Sequence, residues 1–358
     1  MSNSFGHIFR FTSFGESHGD AIGGVIDGVP PGIFIDITFI QSELNKRKPG
    51  ESKITTKRKE DDIVEFISGI FENKTTGSPI AFFIKNKNVN SEDYNNIKDV
   101  LRPGHGDFTY YHKYRIRDWR GGGRASARET AVRVVVGAIA KLILSKYHIE
   151  INAYTSQIGN TKLEIPIEKL DFKNTYHNST RCPDNTTHKE FEKIILEHKA
   201  QKDSIGGVVS CVVKNVPIGL GEPLYDKLSA RLAYAIMSIN ACKGFEIGKG
   251  FEVATMKGSE NNDQIRYENN NIKFLSNNAG GILAGISTGQ DIFFRTAFKP
   301  TPSISTTQKT INYNLENIEL NIKGRHDPCV VPRAVIVVEA MTAITILDFI
   351  LLNQAYKN

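Results

Sequence analysis

Residues 120 to 144 read RGGGRASARETAVRVVVGAIAKLIL, and the rest of the chain is organised around this stretch. Gly121, Gly122 and Gly123 carry no Cβ, so the backbone there can take positive φ and approach a ligand closely. Ser126 and Glu129 have the S-x-x-E spacing of a capping box, which marks a helix N-terminus. Ala131 to Leu144 is apolar on most sides, which predicts a helix enclosed in a core. A helix start presents several N–H groups and partial positive charge, a setting that suits phosphate. Arg120, Arg124 and Arg128 gather at this end, and the spacing of four lets Arg124 and Arg128 share a helix face. Cations there oppose the helix dipole, so an anionic ligand is the functional reading. A glycine-rich loop with solvated arginines is the alternative.

Working outward, the flanking chain supplies strands. Phe5 to Phe14 alternates as a strand, and Gly23–Val29 and Ile33–Phe39 read as a hairpin about Pro30-Pro31-Gly32. Ser42 to Lys48 reads as a short helix capped by Ser42, and Asp61 to Phe71 is amphipathic. Pro79–Lys85, Ile149–Ile158, Ile205–Val216 and Ile292–Pro300 are further strands. Lys189–Asp203 reads as a surface helix. Asp226–Ala241 reads as a second buried one, with Ser229, Ala230, Ala233, Ala235 and Ser238 allowing close packing. A long apolar helix closes the chain, Pro332 to Gln354. No linker and no fixed short repeat is present, so residues 1–358 read as a single domain.

Composition narrows the class. The 358 residues are 40% hydrophobic and 23% charged, ordinary for a soluble globular chain. A net charge of +6 favours acidic partners such as nucleic acid, a membrane surface or a small anionic substrate. Cys182, Cys211, Cys242 and Cys329 are scattered without C-x-x-C or zinc spacing, which argues against disulfides and metal and for a reducing, cytoplasmic setting. The opening MSNSFGHIFRF lacks the pattern of a signal peptide. No stretch of about 20 apolar residues is read, so no transmembrane helix is expected.

The chemistry-bearing residues fall in loops with glycine or proline: GESHG (15–19), KRKPG (46–50), RPGHGD (102–107), GGGRASARE (121–129), KPTPS (299–303) and GRHDPC (324–329). His18 and His105 are candidate acids or bases, and Asp327 is a candidate carboxylate. No Walker A, G-x-G-x-x-G or G-x-S-x-G pattern occurs, which weakens nucleotide-fold and hydrolase readings. The residues alone point to an enzyme for a multiply anionic ligand. An RNA-binding protein is the competing class, from the basic run Lys46–Lys59, although no RNP or KH signature accompanies it.

GESHG, RPGHGD, RGGGRASARET, SINACKG (238–244), NNAGGILAGISTGQ (277–290), KPTPSI and GRHDPC occur in the order that they have in chorismate synthases, and together the chain resembles that family from Phe5 to Leu351. The resemblance implies a flavin-dependent lyase. It implies a 1,4-trans elimination of phosphate from 5-enolpyruvylshikimate 3-phosphate to give chorismate, the last shared step of the shikimate pathway to the aromatic amino acids. Reduced FMN is required without net redox change. The implied fold is α+β, a β-α-β sandwich in which two antiparallel sheets enclose a helical layer, assembled as a homotetramer.

By the same resemblance His18, His105 and Asp327 are catalytic. Ser17, Arg47, Arg102, Arg128 and Arg325 bind substrate anions. FMN contacts fall on Arg124, Ala125, Ser126, Asn240, Ala241, Ala284, Lys299, Pro300, Thr301, Pro302, Ser303 and Arg325, and NADP contacts on Arg47 and Lys53. At position 53 a lysine keeps the charge but loses the fork of an arginine, and at position 284 an alanine stands where glycine is expected. NADPH is one source of electrons. A separate flavin reductase is the other, and no extra reductase domain is evident. Nucleic acid and membrane are not expected partners.

Overall fold

The computed structural model describes residues 3–48, 53–54, 62–87, 97–322 and 327–356. The first sheet is built from β1 (Ser4–Phe5), β2 (Arg10–Gly15), β3 (Ala21–Asp27), β4 (Val64–Phe66) and β5 (Ile80–Lys85), in the order β1-β2-β3-β5-β4 with every pair antiparallel. The second contains β6 (Glu150–Ile158), β7 (Thr161–Lys162), β8 (Gly207–Lys214), β9 (Cys242–Ile247) and β10 (Ile292–Phe298), in the order β9-β10-β8-β6-β7, again antiparallel. In β10, Ile292, Phe294, Thr296 and Phe298 are buried while Phe293, Arg295 and Ala297 face the other way. This period of two is what a sheet with one face on a core demands.

The longer helices among the described residues are α1 (Ile37–Arg47), α2 (Asp107–Tyr114), α3 (Thr130–Leu144), α4 (Asn185–Ala200), α5 (Leu228–Met237) and α6 (Val331–Gln354). α3 lies along α6, α1 packs on both, and α5 packs on α6. On one side α3 meets β3; on the other α6 meets β6 and β8. Close approach of α3 and α6 depends on Gly137, where a Cβ would sit 2.4 Å from the Cα and Cβ of Ala340. α6 is long and apolar enough to cross a membrane, against the sequence expectation, yet it is enclosed along almost its whole length as a core helix.

Buried ion pairs join three helices within this core. Lys141 Nζ of α3 lies 2.6 Å from Glu43 Oε2 of α1 and 2.5 Å from Glu339 Oε2 of α6. Burial alone would lower the Lys141 pKa, but Glu339 and Glu43 outweigh it and raise it. Glu339 Oε1 also accepts the Ala153 N–H of β6 at 3.1 Å. Removing one member of such a buried set leaves an uncompensated charge, which costs about 3–5 kcal/mol. Further along α6, Asp348 accepts the backbone N–H groups of His7, Ile8 and Phe9 at 2.8, 2.8 and 3.0 Å.

Several local expectations are corrected. No hairpin forms about Pro30-Pro31-Gly32: β3 ends at Asp27, Asp36 caps the next helix by accepting the Phe39 N–H at 2.9 Å, and α1 starts at Ile37 rather than near Ser42. The β-branched and aromatic run Ile37-Thr38-Phe39-Ile40 favours a strand, but Ile40 and Leu44, four apart, are fully buried, and packing overrides propensity. The described part of the amphipathic stretch 61–71 holds two short strands, β4 and Ile70–Phe71. Phe5–Phe14 is split between β1 and β2.

Candidate active site

The stretch 120–130 does not enter α3 directly. It winds through two 3-10 turns, Gly123–Ala125 and Ala127–Glu129, before α3 starts at Thr130. Ser126 Oγ accepts the Arg128 N–H at 3.2 Å, but Glu129 pairs with Arg133 at 2.9 Å instead of closing the box. Of the three glycines only Gly123 has positive φ. Gly121 is required for another reason: a Cβ there would lie 2.0 Å from His18 Nδ1 and 2.8 Å from Ser17 Oγ. The absence of a side chain at 121 therefore makes room for the GESHG loop.

The three arginines do not share a face, and each has a protein partner. Arg120 is exposed and grips Asp118, with Nη2 2.7 Å from Oδ2. Arg124 reaches the end of β2, donating to Ser13 Oγ at 2.7 Å and the Gly15 carbonyl at 3.3 Å. Arg128 is buried and pairs through Nη1 with Asp62 Oδ1. Asp62 Oδ2 in turn lies 2.5 Å from Arg47 Nη2. One carboxylate, 1% exposed, thus bridges two arginines singled out as substrate ligands. Arg47, expected in the KRKPG loop, is instead the buried last residue of α1.

The Arg47 carbonyl accepts from Arg333 Nε at 3.3 Å, and Arg333 Nη1 pairs with Asp327. On the opposite side Arg128 Nε donates to Asn86 Oδ1 at 2.9 Å, and Asn86 Nδ2 donates to the carbonyls of Glu16 and Gly19. Ser17 Oγ lies 3.1 Å from His18 Nδ1, and both residues are buried. A continuous polar chain therefore runs from Asp327 through Arg333, Arg47, Asp62, Arg128 and Asn86 to the loop that carries His18.

His105 belongs to a second, compact cluster. Arg102 grips Asp107 through Nε at 2.6 Å and Nη2 at 2.8 Å, and His105 Nδ1 lies 2.9 Å from Asp107 Oδ1 and 3.1 Å from Arg102 Nη2. Burial, with a smaller contribution from the Arg102 cation, lowers the His105 pKa from 6.5 despite the hydrogen bond to Asp107. The imidazole is therefore neutral at pH 7. Burial alone would raise the Asp107 pKa, but hydrogen bonds from Arg102 and His105 hold it far below the carboxylate range.

The expected flavin residues largely converge beside this cluster. Asn240 Nδ2 donates to the Ala125 carbonyl at 2.9 Å, the Lys299 N–H donates to the Ala241 carbonyl at 3.0 Å, and Lys299 Nζ reaches the Gly104 carbonyl. A Cβ on Gly104 would stand 3.3 Å from Pro302 Cβ. Pro300, Thr301 and Ser303 continue the same loop, which Ser204 Oγ ties down through the Thr301 carbonyl at 2.7 Å. Among the described residues Asn240 Oδ1 is buried without a hydrogen-bond partner, so this acceptor fits a donor from a bound group.

Other residues stand apart. Ala284 has φ +51° in the tight turn between strands Ile282–Leu283 and Ile286–Ser287. The neighbouring Gly285 carbonyl accepts from the Leu228 N–H at the start of α5, whereas Asn240 follows the other end of that 10-residue helix, which is about 15 Å long. Lys53 is exposed and its carbonyl accepts from Lys199 Nζ at 2.6 Å. Arg325 lies outside the described residues, as does most of the run Lys46–Lys59. A groove of about 880 Å³ sits on the outer face of the second sheet, among Tyr154, Ser210, Phe293 and Arg295, and takes in none of the predicted residues. Asp62, Asn86, Asp107 and Arg333 are the residues that sequence reasoning passed over. Only Asp107, inside the quoted RPGHGD, carried a local signal.

Comparison with known proteins identifies the family. A family model described as chorismate synthase covers residues 9–351. A protein named chorismate synthase from Parabacteroides distasonis is 56% identical over 356 residues, spanning 99% of each chain. One of the same name from Cytophaga hutchinsonii is 53% identical over 358 residues, spanning 100% of this chain and 99% of its own. A crystal structure titled as chorismate synthase superposes with a TM-score of 0.76 at 32% identity, over 98% of this chain and 93% of that one. The chain belongs to the chorismate synthase family.

Proposed function

We propose that the chain is the lyase that removes phosphate from 5-enolpyruvylshikimate 3-phosphate by 1,4-trans elimination, giving chorismate for aromatic amino acid synthesis. The reading rests on family membership over nearly the whole chain. One structural observation carries it further: loops up to about 300 residues apart in sequence meet through the chain from Asp327 to the His18 loop. The substrate has one phosphate and two carboxylates. By the family resemblance Arg47, Arg102 and Arg128 serve these anions; each guanidinium also rests on a buried aspartate, Asp62 or Asp107, which orients it.

Roles for single residues follow as parts of the same proposal. The elimination breaks a C–H bond at C6 and the C–O bond to phosphate, and forms a C=C bond. Asp327, oriented by Arg333, takes the C6 proton. His105 is neutral and beside Arg102, and it meets the departing phosphate as a hydrogen-bond partner. His18, enclosed by Ser17 and Gly121, supplies or receives a proton on the far side. Arg325 is proposed with the substrate arginines from the resemblance alone.

Reduced FMN is the proposed cofactor; when bound it supplies an electron-rich ring that assists phosphate departure with no net redox change. Arg124, Ala125, Ser126, Asn240, Ala241 and Lys299 to Ser303 would hold it, and the buried acceptor on Asn240 fits a ring N–H donor. The sandwich of two sheets about a helical layer and the homotetramer belong to the same reading. Exposed Tyr225, Phe251 and Ile218 suit subunit contacts. NADPH as the direct reductant has less support, because Arg47 is buried while Lys53 lies on the surface. A separate flavin reductase is therefore preferred.

The test is an anaerobic assay with reduced FMN and the phosphorylated substrate. Stoichiometric release of chorismate and phosphate is expected; no release from folded protein overturns the proposal. Repeating the assay with NADPH and oxidised FMN separates the two reductant routes.

A further inference from the structure

We propose that Asn86 is a positioning residue that holds the His18 loop and the Arg128 guanidinium in fixed relation. This deepens the reaction proposed above and rests on it. Asn86 stands just beyond β5, whose ladder partner β3 begins just after the GESHG loop. Its Nδ2 donates to the Glu16 carbonyl at 3.0 Å and to the Gly19 carbonyl at 2.8 Å. Its backbone N–H donates to the Asp20 carbonyl at 2.9 Å. Its Oδ1 accepts from Arg128 Nε at 2.9 Å.

These partners decide the amide orientation. Two carbonyls demand a donor and a guanidinium demands an acceptor, so the reverse placement of N and O would break three bonds at once. No other side chain of this size offers two donors and an acceptor in one plane. The two carbonyls bracket Ser17 and His18, and the same turn is closed by the Gly19 N–H donating to the Glu16 carbonyl at 3.2 Å. On the other side Gly121 stands against the imidazole. The His18 ring is thus set between a wall and a clamp, and the clamp is bonded to an arginine of the anion site. Catalysis tolerates little error here: a displacement near 1 Å costs about 10²-fold in rate.

Asn86→Asp keeps an acceptor for Arg128 but loses both donors and turns a negative charge on the two carbonyls. Amide exchange of residues 16–20, followed by mass spectrometry, should become about tenfold faster. In the anaerobic assay kcat should fall by about 10–100-fold, with substrate KM changed far less. Asn86→Gln, which retains the amide on a longer stem, should recover part of the lost kcat. Unchanged exchange in Asn86→Asp overturns the proposal, and so does faster exchange with unchanged kcat. Should Asn86→Asp fail to fold, Asn86→Ala decides, since it removes both donors and the acceptor without adding charge, and wild-type kcat and exchange there would refute the clamp. The exchange readout needs no turnover, so an inactive wild type would count against the reaction while exchange still judged the clamp.

Discussion

Arg102 and Arg128 both rest on a buried aspartate, but Asp107 is five positions from its arginine and Asp62 is 66 positions from its own. The first cluster is made by one loop and the first turn of α2, and its geometry follows from a few backbone angles. The second exists only when α1, β4, β5 and the turn before α3 have all been placed by the core. A local cluster can be lost without disturbing its neighbours. An assembled one ties each loop to the others, so damage at one point travels along the chain from Asp327 to His18.

The contrast can be broken by substitution. His105→Ala in the compact cluster and His18→Ala in the assembled one should each lower kcat by roughly 10²–10⁴; unchanged turnover in either would return that histidine to a structural role. Asp62→Ala removes the carboxylate between two buried guanidinium groups and should destabilise the fold by about 3–5 kcal/mol. Urea unfolding should show a larger loss for it than for Asp107→Ala, because Arg117 beside Asp107 is also held by the carbonyls of Ile97 and Val100. Equal losses would erase the distinction. Gly121→Ala drives a methyl group onto His18 Nδ1 and should cost about 10²-fold in kcat through the displaced loop, while thermal stability changes little.

The smallest effect is a pH dependence confined to the compact cluster. The folded His105 has a pKa below its ordinary 6.5, chiefly through burial. The unfolded chain therefore takes up a proton that the folded one does not. Stability from this group is complete above about pH 6.5 and declines as the pH falls below it. Melting temperatures between pH 8 and 5 should show that decline, and His105→Gln should flatten part of it.

Much of the architecture was legible because burial writes a period into the residues. A short apolar run marked β8, a period of two in burial underlies β10, and long, mostly apolar stretches marked α3 and α6. RPGHGD was legible because its partners are near neighbours. Asn86 and Asp62 left no such trace: each is one polar residue in a polar stretch, and its meaning comes from groups far along the chain. Arg333 was hidden in the first turn of an apolar helix. The misread hairpin at Pro30 shows the same limit, since Ile37 to Ile40 has strand chemistry and only the core above α1 makes it helical.

Asp348 binds the backbone of His7 to Phe9, 341 positions upstream at the farthest. During synthesis on a ribosome at about 5–20 residues per second, the approach to β2 waits roughly 20–70 s for its anchor to be made. The strand that delivers the His18 loop is thus among the first pieces translated and among the last secured. The turn between β1 and β2 therefore lacks this anchor until the last helix is made, and that helix acts as the closing bolt.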